Sequence, residues 1–427
     1  MKKQLHTALF LAIITATVLI CGCQRPVRSL HVEQETSPVS GPSLVPQATR
    51  LSSGKLLVSW QRPLETGGYS FEMAIRSGDN WSDARTIASG RNLSMFTADL
   101  PAVVELPNGN LLAYWELKSA TKDDPYATTI HTAVSTNEGK TWGLPLTPYG
   151  ENLAGQHSFI SSFPDGDGVG LVWLDAAEQS KLQLAPKAEK GPMSGMKMGS
   201  IGLRYAALNS SGNASRGTFV DPITCECCPT SAAVTDRGPV VVYRGRQEVR
   251  GTRPSEVDPS RPTVRDIYIS RLEGDRWTKP RPVHADNWVI NACPDNGPSV
   301  DANGNRVVVA WWTASGDQPK VQVAFSGDSG DTFTQPLRID AGKGEGQVTV
   351  ILLPDGRSAI VGWLEEGMTW AKFVRDAGET SSAVSLGPAP RHSRLARWIA
   401  NGDNSVTAVW TRKDNDEPNI AVSRISF

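Results

Sequence analysis

Four of the six cysteines in this 427-residue chain lie in two short segments, Thr224-Cys225-Glu226-Cys227-Cys228-Pro229 and Asn291-Ala292-Cys293-Pro294. In an oxidising compartment an even set of cysteines reads first as disulfides, and four of them allow three pairings. A direct Cys227–Cys228 bridge demands strained local geometry. That leaves Cys225–Cys228 with Cys227–Cys293, or the cross-pairing, either of which ties two sequence-distant units together. A second chemistry is metal binding, since four thiolates suit tetrahedral zinc or soft copper(I). Upstream, Met193, Met196 and Met198 stand in Gly191-Pro192-Met193-Ser194-Gly195-Met196-Lys197-Met198, a polar stretch in which three thioethers suit a soft ion or an adaptable contact surface. A redox role for the thiols is the third reading. Counting free thiols and bound metal on anaerobically purified protein separates the three. Apart from copper or zinc at these positions, no cofactor is expected.

Other chemistry-bearing residues are less patterned. His131, His157, His284 and His392 form no His-x-x-x-His element, so each reads as a core or loop residue; His157 and His284 fall between structural units, where loops converge. There is no P-loop, Rossmann fingerprint or Gly-x-Ser-x-Gly element. With 43 basic against 44 acidic residues and no basic block, nucleic acid is excluded as an expected partner.

The N-terminus supplies an address. Lys2 and Lys3 precede an apolar run from Ala8 to Ile20, too short to span a bilayer comfortably and shaped like a signal-peptide core. The following Ile20-Cys21-Gly22-Cys23 resembles a lipobox, which implies removal of residues 1–22 and a lipid on Cys23. Two or more acyl chains, at roughly 0.8 kcal/mol per buried CH₂, give a stable anchor. Gln24 resembles an outer-membrane sorting signal if the host is Gram-negative. The protein is therefore expected in the cell envelope, held by its lipid, with residues 23–42 as a tether that adds an edge strand near Pro42 to Val45.

The elements that must position the cysteines repeat along the chain. A turn glycine followed by a short apolar strand ending near Trp or Tyr recurs from Gly54, Gly109, Gly168, Gly238, Gly304, Gly356 and Gly402, at spacings of 55, 59, 70, 66, 52 and 46 residues. Four short strands and their turns need about 40–50 residues, so the longer intervals carry insertions. Within one unit, Val321, Val323 and Phe325 alternate with polar or small residues as in a half-buried strand. Then come the turn Ser326-Gly327-Asp328-Ser329-Gly330 and Thr332-Phe333. Asp328 can accept the turn's own N–H groups, and Gly330 can take positive φ.

This motif resembles the Asp-box of the sialidase-like (BNR-repeat) β-propeller superfamily. A close copy is Ser135-Thr136-Asn137-Glu138-Gly139-Lys140-Thr141-Trp142, and looser copies run over 76–81 and 271–277. The resemblance implies an all-β propeller over residues 43–427, with insertions near 176–228 and 246–264. Catalytic members have six blades, whereas the direct count here is seven, which is favoured. The family's substrate clamp includes an arginine in a Phe/Tyr-Arg-Ile-Pro segment, but Leu44 occupies that place in Ser43-Leu44-Val45-Pro46. A leucine offers no bidentate donors. Arg50, Arg204, Arg244, Arg246, Arg265, Arg394 and Arg397 are the other clamp candidates. Tyr205, Tyr243, Tyr268, Glu116, Asp175 and Asp266 are candidates for the nucleophile and acid/base roles. The expected function is a lipid-anchored propeller that binds a glycan, peptide or envelope protein. Exo-glycosidase action on terminal acidic sugars and copper handling are the alternatives.

Overall fold

Each turn glycine picked out in the sequence stands at the entrance to the second strand of an antiparallel sheet of three to five strands, and seven such sheets close into a ring. The computed structural model describes residues 28–122, 124–149, 155–176, 201–248, 263–290 and 292–427. Their innermost strands are Leu44–Arg50, Ala102–Glu105, His157–Asp165, Ser231–Thr235, Ser299–Asn303, Gly344–Leu352 and Ile399–Asn401, in blades I to VII. Each pairs antiparallel with the next strand of its own blade, as Ser299↔Ala310 and Ser231↔Val242 illustrate. Met193, Met196, Met198 and Cys23 lie outside the described residues, as do 177–200 and 249–262 of the two expected insertions; most of the rest of the first is not an insertion, since Gly202–Leu208 and Ala214–Asp221 are the outer strands of blade III.

The ring closes differently from expectation. Blade VII takes three strands from the C-terminal end and its outermost strand, His31–Glu35, from the N-terminal end, in register from His31↔Ser426 to Glu35↔Val422. Pro42 to Val45 does not supply this strand. Leu44 opens the inner strand of blade I opposite Gln61, with a bulge and positive φ at Val45. Part of the supposed tether is thus fold. The outer edge needs the strand first, and residues 36–43 then carry the chain inward to the axis, within reach at about 3.3 Å per extended residue.

Between the blades lies the core. Trp60, Trp115, Trp173, Tyr243, Trp311, Trp363 and Trp410 stand in the later half of the second strands of the seven blades, and all are buried. Most of their polar hydrogens have an acceptor: Trp173 Nε1 donates to Asp175 (2.9 Å), Trp363 Nε1 to Glu365 (3.0 Å), Trp311 Nε1 to Asp286 (2.7 Å) and the Tyr243 hydroxyl to Asp221 (2.6 Å). Aromatic bulk fills the wedge between diverging sheets while the acceptor removes the cost of a buried N–H.

The two faces of the ring differ. First strands begin, second strands end and third strands begin on one face, which carries the longer loops. The other carries the tight turns, including both close Asp-boxes. In the blade V copy, Ser326 Oγ accepts the Gly330 N–H (2.9 Å), and Asp328 accepts the Thr332 N–H (2.8 Å) and hydroxyl (2.6 Å). Burial opposes ionisation of Asp328, but these bonds hold its carboxyl below the usual range. The blade II copy repeats the pattern with Asn137. The looser copies are plain hairpins, Ser77↔Asn80 and Glu273↔Arg276.

Gly330 has φ +83°, and a Cβ there would lie 2.6 Å from Ile269 Cδ1 of blade IV. Gly330→Ala is therefore expected to destabilise the fold by about 1–3 kcal/mol, seen as a lower denaturant midpoint. Ligand binding on the opposite face should be unchanged; an undiminished midpoint would refute the latch role.

Candidate functional site

The loop face gathers three chain-distant segments around the cysteines. Thr224–Thr230 leads into the inner strand of blade IV, Gly238–Arg244 ends on this face, and residues 292–298 lead into blade V. The segments are sewn together by main chain: Cys225 N–H donates to Arg244 O (3.0 Å), and Arg265 N–H to Trp288 O (2.8 Å). Gly297 permits the closest approach, since a Cβ there would lie 2.1 Å from Pro229 O.

Cys227 is joined to Cys293 by a disulfide with Cα atoms 6.1 Å apart, so one of the expected pairings is present and ties the blade IV and V loops. Cys225 and Cys228 are free thiols with Sγ atoms 3.4 Å apart, and Cys225 Sγ stands 3.8 Å from Cys227 Sγ. The three sulfurs of Cys225, Cys227 and Cys228 lie within 4.8 Å of one another, close enough for one soft metal were the Cys227–Cys293 bond reduced.

Arginines ring this cluster. Arg265 Nη1 donates to Cys225 Sγ (2.9 Å) and Glu226 Oε2 (3.3 Å), and its Nε to Thr263 Oγ1 (2.8 Å). Arg246 Nη1 reaches both oxygens of Glu226 at 3.2 and 3.1 Å. Arg246 Nε and Nη2 and Arg265 Nη2 are buried without a hydrogen-bond partner. Burial opposes ionisation of Cys225, yet the bond with Cys228 and the Arg265 charge outweigh it and bring the thiol down to about 6. Burial and the charge of Cys225 push Cys228 upward. Burial, then the nearby Cys225 charge, raises Asp295 to about 7.

Arg244, a clamp candidate, directs its donors to the main chain. Four hydrogen bonds take its donors to backbone carbonyls: Nε and Nη2 to Asn296 O (3.1 and 2.7 Å), Nη1 to Arg265 O (2.6 Å) and Nη2 to Trp312 O (2.8 Å). Its guanidinium also covers the Trp288 ring at 5.1 Å. Asp266, raised to about 6 chiefly by burial, accepts the Asn287 and Trp288 N–H groups and so shapes a loop. The Tyr205 and Tyr243 hydroxyls donate to Asp165 and Asp221. Arg50 ends the inner strand of blade I, donates to Gly54 O (3.0 Å) and Asn401, and lines the turn-face end of the axial cavity described below. Arg204 stands 3.7 Å from Asp175, and buried His157 3.5 Å from the same carboxylate.

Two features converge on the axis beside the cysteines. A cavity of 460 Å³ runs between the inner strands and is lined by Tyr114, Ser162, Ser231, Thr349, Arg394 and Arg397 among others. Arg394 Nη2 donates to Thr230 O (2.6 Å), two residues beyond Cys228, and burial lowers its pKa to about 10. Next to the cavity, Asp99, Glu116, Phe96 and Trp115 line a smaller cleft. Burial, then the neighbouring Asp99, raises the Glu116 carboxyl well above the ordinary range. Glu226, Asp99, Asp295 and Asn296 were not singled out by the sequence. Glu226, inside Cys-Glu-Cys-Cys, and Asp295 and Asn296, in Pro-Asp-Asn-Gly-Pro, carry a local signal, and Asp99 carries none.

No protein-family model and no curated protein matches this chain. Among similar solved structures is an ulvan lyase, described as a new family of polysaccharide lyase, at TM-score 0.55 and 11% identity over 91% of this chain and 95% of that one. A protein of unknown function from Dyadobacter fermentans aligns at TM-score 0.46 and 14% identity, covering 93% of this chain and 98% of that one. The NanB sialidase of Streptococcus pneumoniae aligns at 0.45 and 12%, covering 92% and 71%. The likeness to the ulvan lyase is one of fold, and the sheets of this chain make a β-propeller of seven blades.

Glu116 yields a pH test. Its pKa is raised in the folded state, so above the unfolded value of about 4.3 the unfolded chain releases the proton first and stability falls as pH rises toward the folded pKa. Glu116→Gln should remove that decline, leaving the variant relatively more stable at pH 8 than at pH 4. Parallel stability–pH curves would contradict the assignment.

Proposed function

We propose that this chain is a lipid-anchored, extracytoplasmic propeller that binds an acidic glycan in its axial cavity. The observation that carries the reading is the 460 Å³ cavity with Arg394 and Arg397 in its wall. That volume lies in the range of small-ligand sites, about 300–1,000 Å³. It is lined by hydroxyls suited to sugar recognition and by guanidiniums suited to carboxylate or sulfate. Arg397 is exposed and pairs with Asp301, an ion pair that an anionic ligand can exchange for its own charge. A carbohydrate is favoured over a peptide because the ulvan lyase, by its description a polysaccharide enzyme, shares the architecture. The anchor rests on Cys23 and its lipobox-like setting, and on Gln24 for the outer membrane of a Gram-negative host.

A second reading, glycan cleavage, is favoured by the Asp99–Glu116 cleft. A carboxyl kept protonated by burial beside a second carboxylate is the form a general acid takes.

Calorimetric titration with uronate-containing and neutral oligosaccharides tests the binding reading. Acidic oligosaccharides should bind and neutral ones should not, and Arg394→Ala should weaken binding at least about tenfold, as loss of a charge-assisted contact implies. Arg397→Ala serves as a companion at an exposed position. Indifference of binding to both substitutions would defeat the proposal. If the chain also cleaves, Glu116→Gln should abolish release of new chain ends while leaving affinity intact.

A further inference from the structure

Four cysteines here hold one disulfide bond and two thiols, in contact with one another and graded in depth. Cys225, Cys227 and Cys228 are 0%, 6% and 1% exposed, whereas Cys293 is only partly buried. The reduced pair therefore lies inside and the oxidised pair reaches outward. Such an arrangement is more than a brace. A structural cross-link needs two sulfurs, and the remaining two are placed 3.4 Å apart with one of them 3.8 Å from the bridge.

We propose that these cysteines form an internal thiol–disulfide relay, in which the Cys225/Cys228 pair exchanges with the Cys227–Cys293 bond. The Cys225 thiolate attacks Cys227 Sγ, forming a Cys225–Cys227 bond and expelling Cys293 as thiolate. Cys228 then gives up its proton and attacks Cys225 Sγ, forming Cys225–Cys228 and expelling Cys227, which takes up a proton. One disulfide and two thiols stand on each side, so no external oxidant or reductant is needed. The product joins a Cys-x-x-Cys pair, a spacing common in exchanging disulfides.

The surroundings suit this chemistry. Arg265 Nη1 touches the attacking sulfur, and Arg246 and Arg265 hold buried N–H groups without acceptors beside it, fixed donors for charge that develops on sulfur. Glu226 is held between both guanidiniums, which fixes them in place. Cys293 is the outward sulfur, so a thiol or disulfide of a partner protein would enter there. The proposal is independent of glycan binding at the axis.

Quenching the full mature chain in acid under argon, alkylating it and mapping its peptides tests the relay. Wild type should contain two forms. In one, Cys293 is linked to the peptide carrying Cys225–Cys228; in the other, Cys293 is alkylated and that peptide holds an internal disulfide. Cys225→Ser should reduce Cys293 alkylation at least tenfold, whereas Cys228→Ser should retain it through the trapped Cys225–Cys227 bond. The wild-type mixture is informative even if a variant fails to fold. Two fixed disulfides with no alkylated thiol would overturn the relay. So would Cys293 alkylation unaffected by Cys225→Ser, or four thiols holding stoichiometric copper or zinc.

Discussion

Ring closure is the constraint on which everything else depends. The chain must bring His31–Glu35 against Glu417–Ser426 so that its last blade has an outer strand and its first blade a fixed neighbour. A propeller left open would expose wide interblade surfaces, and the Trp-bearing second strands would lose their packing partners. Closure also decides which segments meet. Once seven inner strands surround one axis, the loops before blades II, IV, V and VII face one another, although they come from residues near 96, 228, 295 and 394. Arg394 demonstrates the result, donating its side chain to Thr230 while its own amide bonds to Thr97 O.

Buried charge is concentrated where those loops meet. Arg244, Arg246, Arg265, Glu226 and a thiol of lowered pKa share a small volume at the edge of blade IV. Desolvating so many ionic groups costs several kcal/mol each before pairing, and a hydrophobic cluster of equal volume would be at least as stable. Arg244 offsets its own cost by bonding three backbone carbonyls and thereby fixing the blade V loop. Arg246 and Arg265 retain unpaired donors, which is poor stabilisation and good preorganisation for negative charge. The Asp99–Glu116 cleft lies on the same face, and the arginine-lined cavity runs from there between the inner strands to Arg50 and Glu105 at the turn-face end, where the Asp-boxes act as interblade latches.

Much of the fold was legible because it is periodic. Seven glycine-led strands gave seven blades directly, and the Ser-x-Asp-x-Gly spacing gave the turn hydrogen bonds down to Asp328 and Gly330. Closure is not legible locally, because His31-Val32-Glu33-Gln34-Glu35 has one apolar residue in five and reads as linker; its strand exists by pairing to Glu417–Ser426, a contact almost the whole chain away. The site was legible only in part. Clustered cysteines flagged the right segment, but their division into a bridge and two thiols depends on depth and distance. Arg50 and Arg244 looked equivalent as clamp candidates, since nothing local records that one lies on the turn face and the other bonds main-chain carbonyls. Asp99 and Glu116 come together only through packing of blade II's leading loop on the end of its second strand.

The central claim is that ligand engages the loop face at the axis and leaves the Asp-box face untouched. Hydrogen exchange of the full mature chain, with and without an acidic oligosaccharide, measures this directly. The account predicts slowed exchange in segments 94–101, 224–230, 292–298 and 391–398, with turns 137–141 and 327–332 unchanged. Protection confined to those turns, or to the outer strands of the blades, would contradict it.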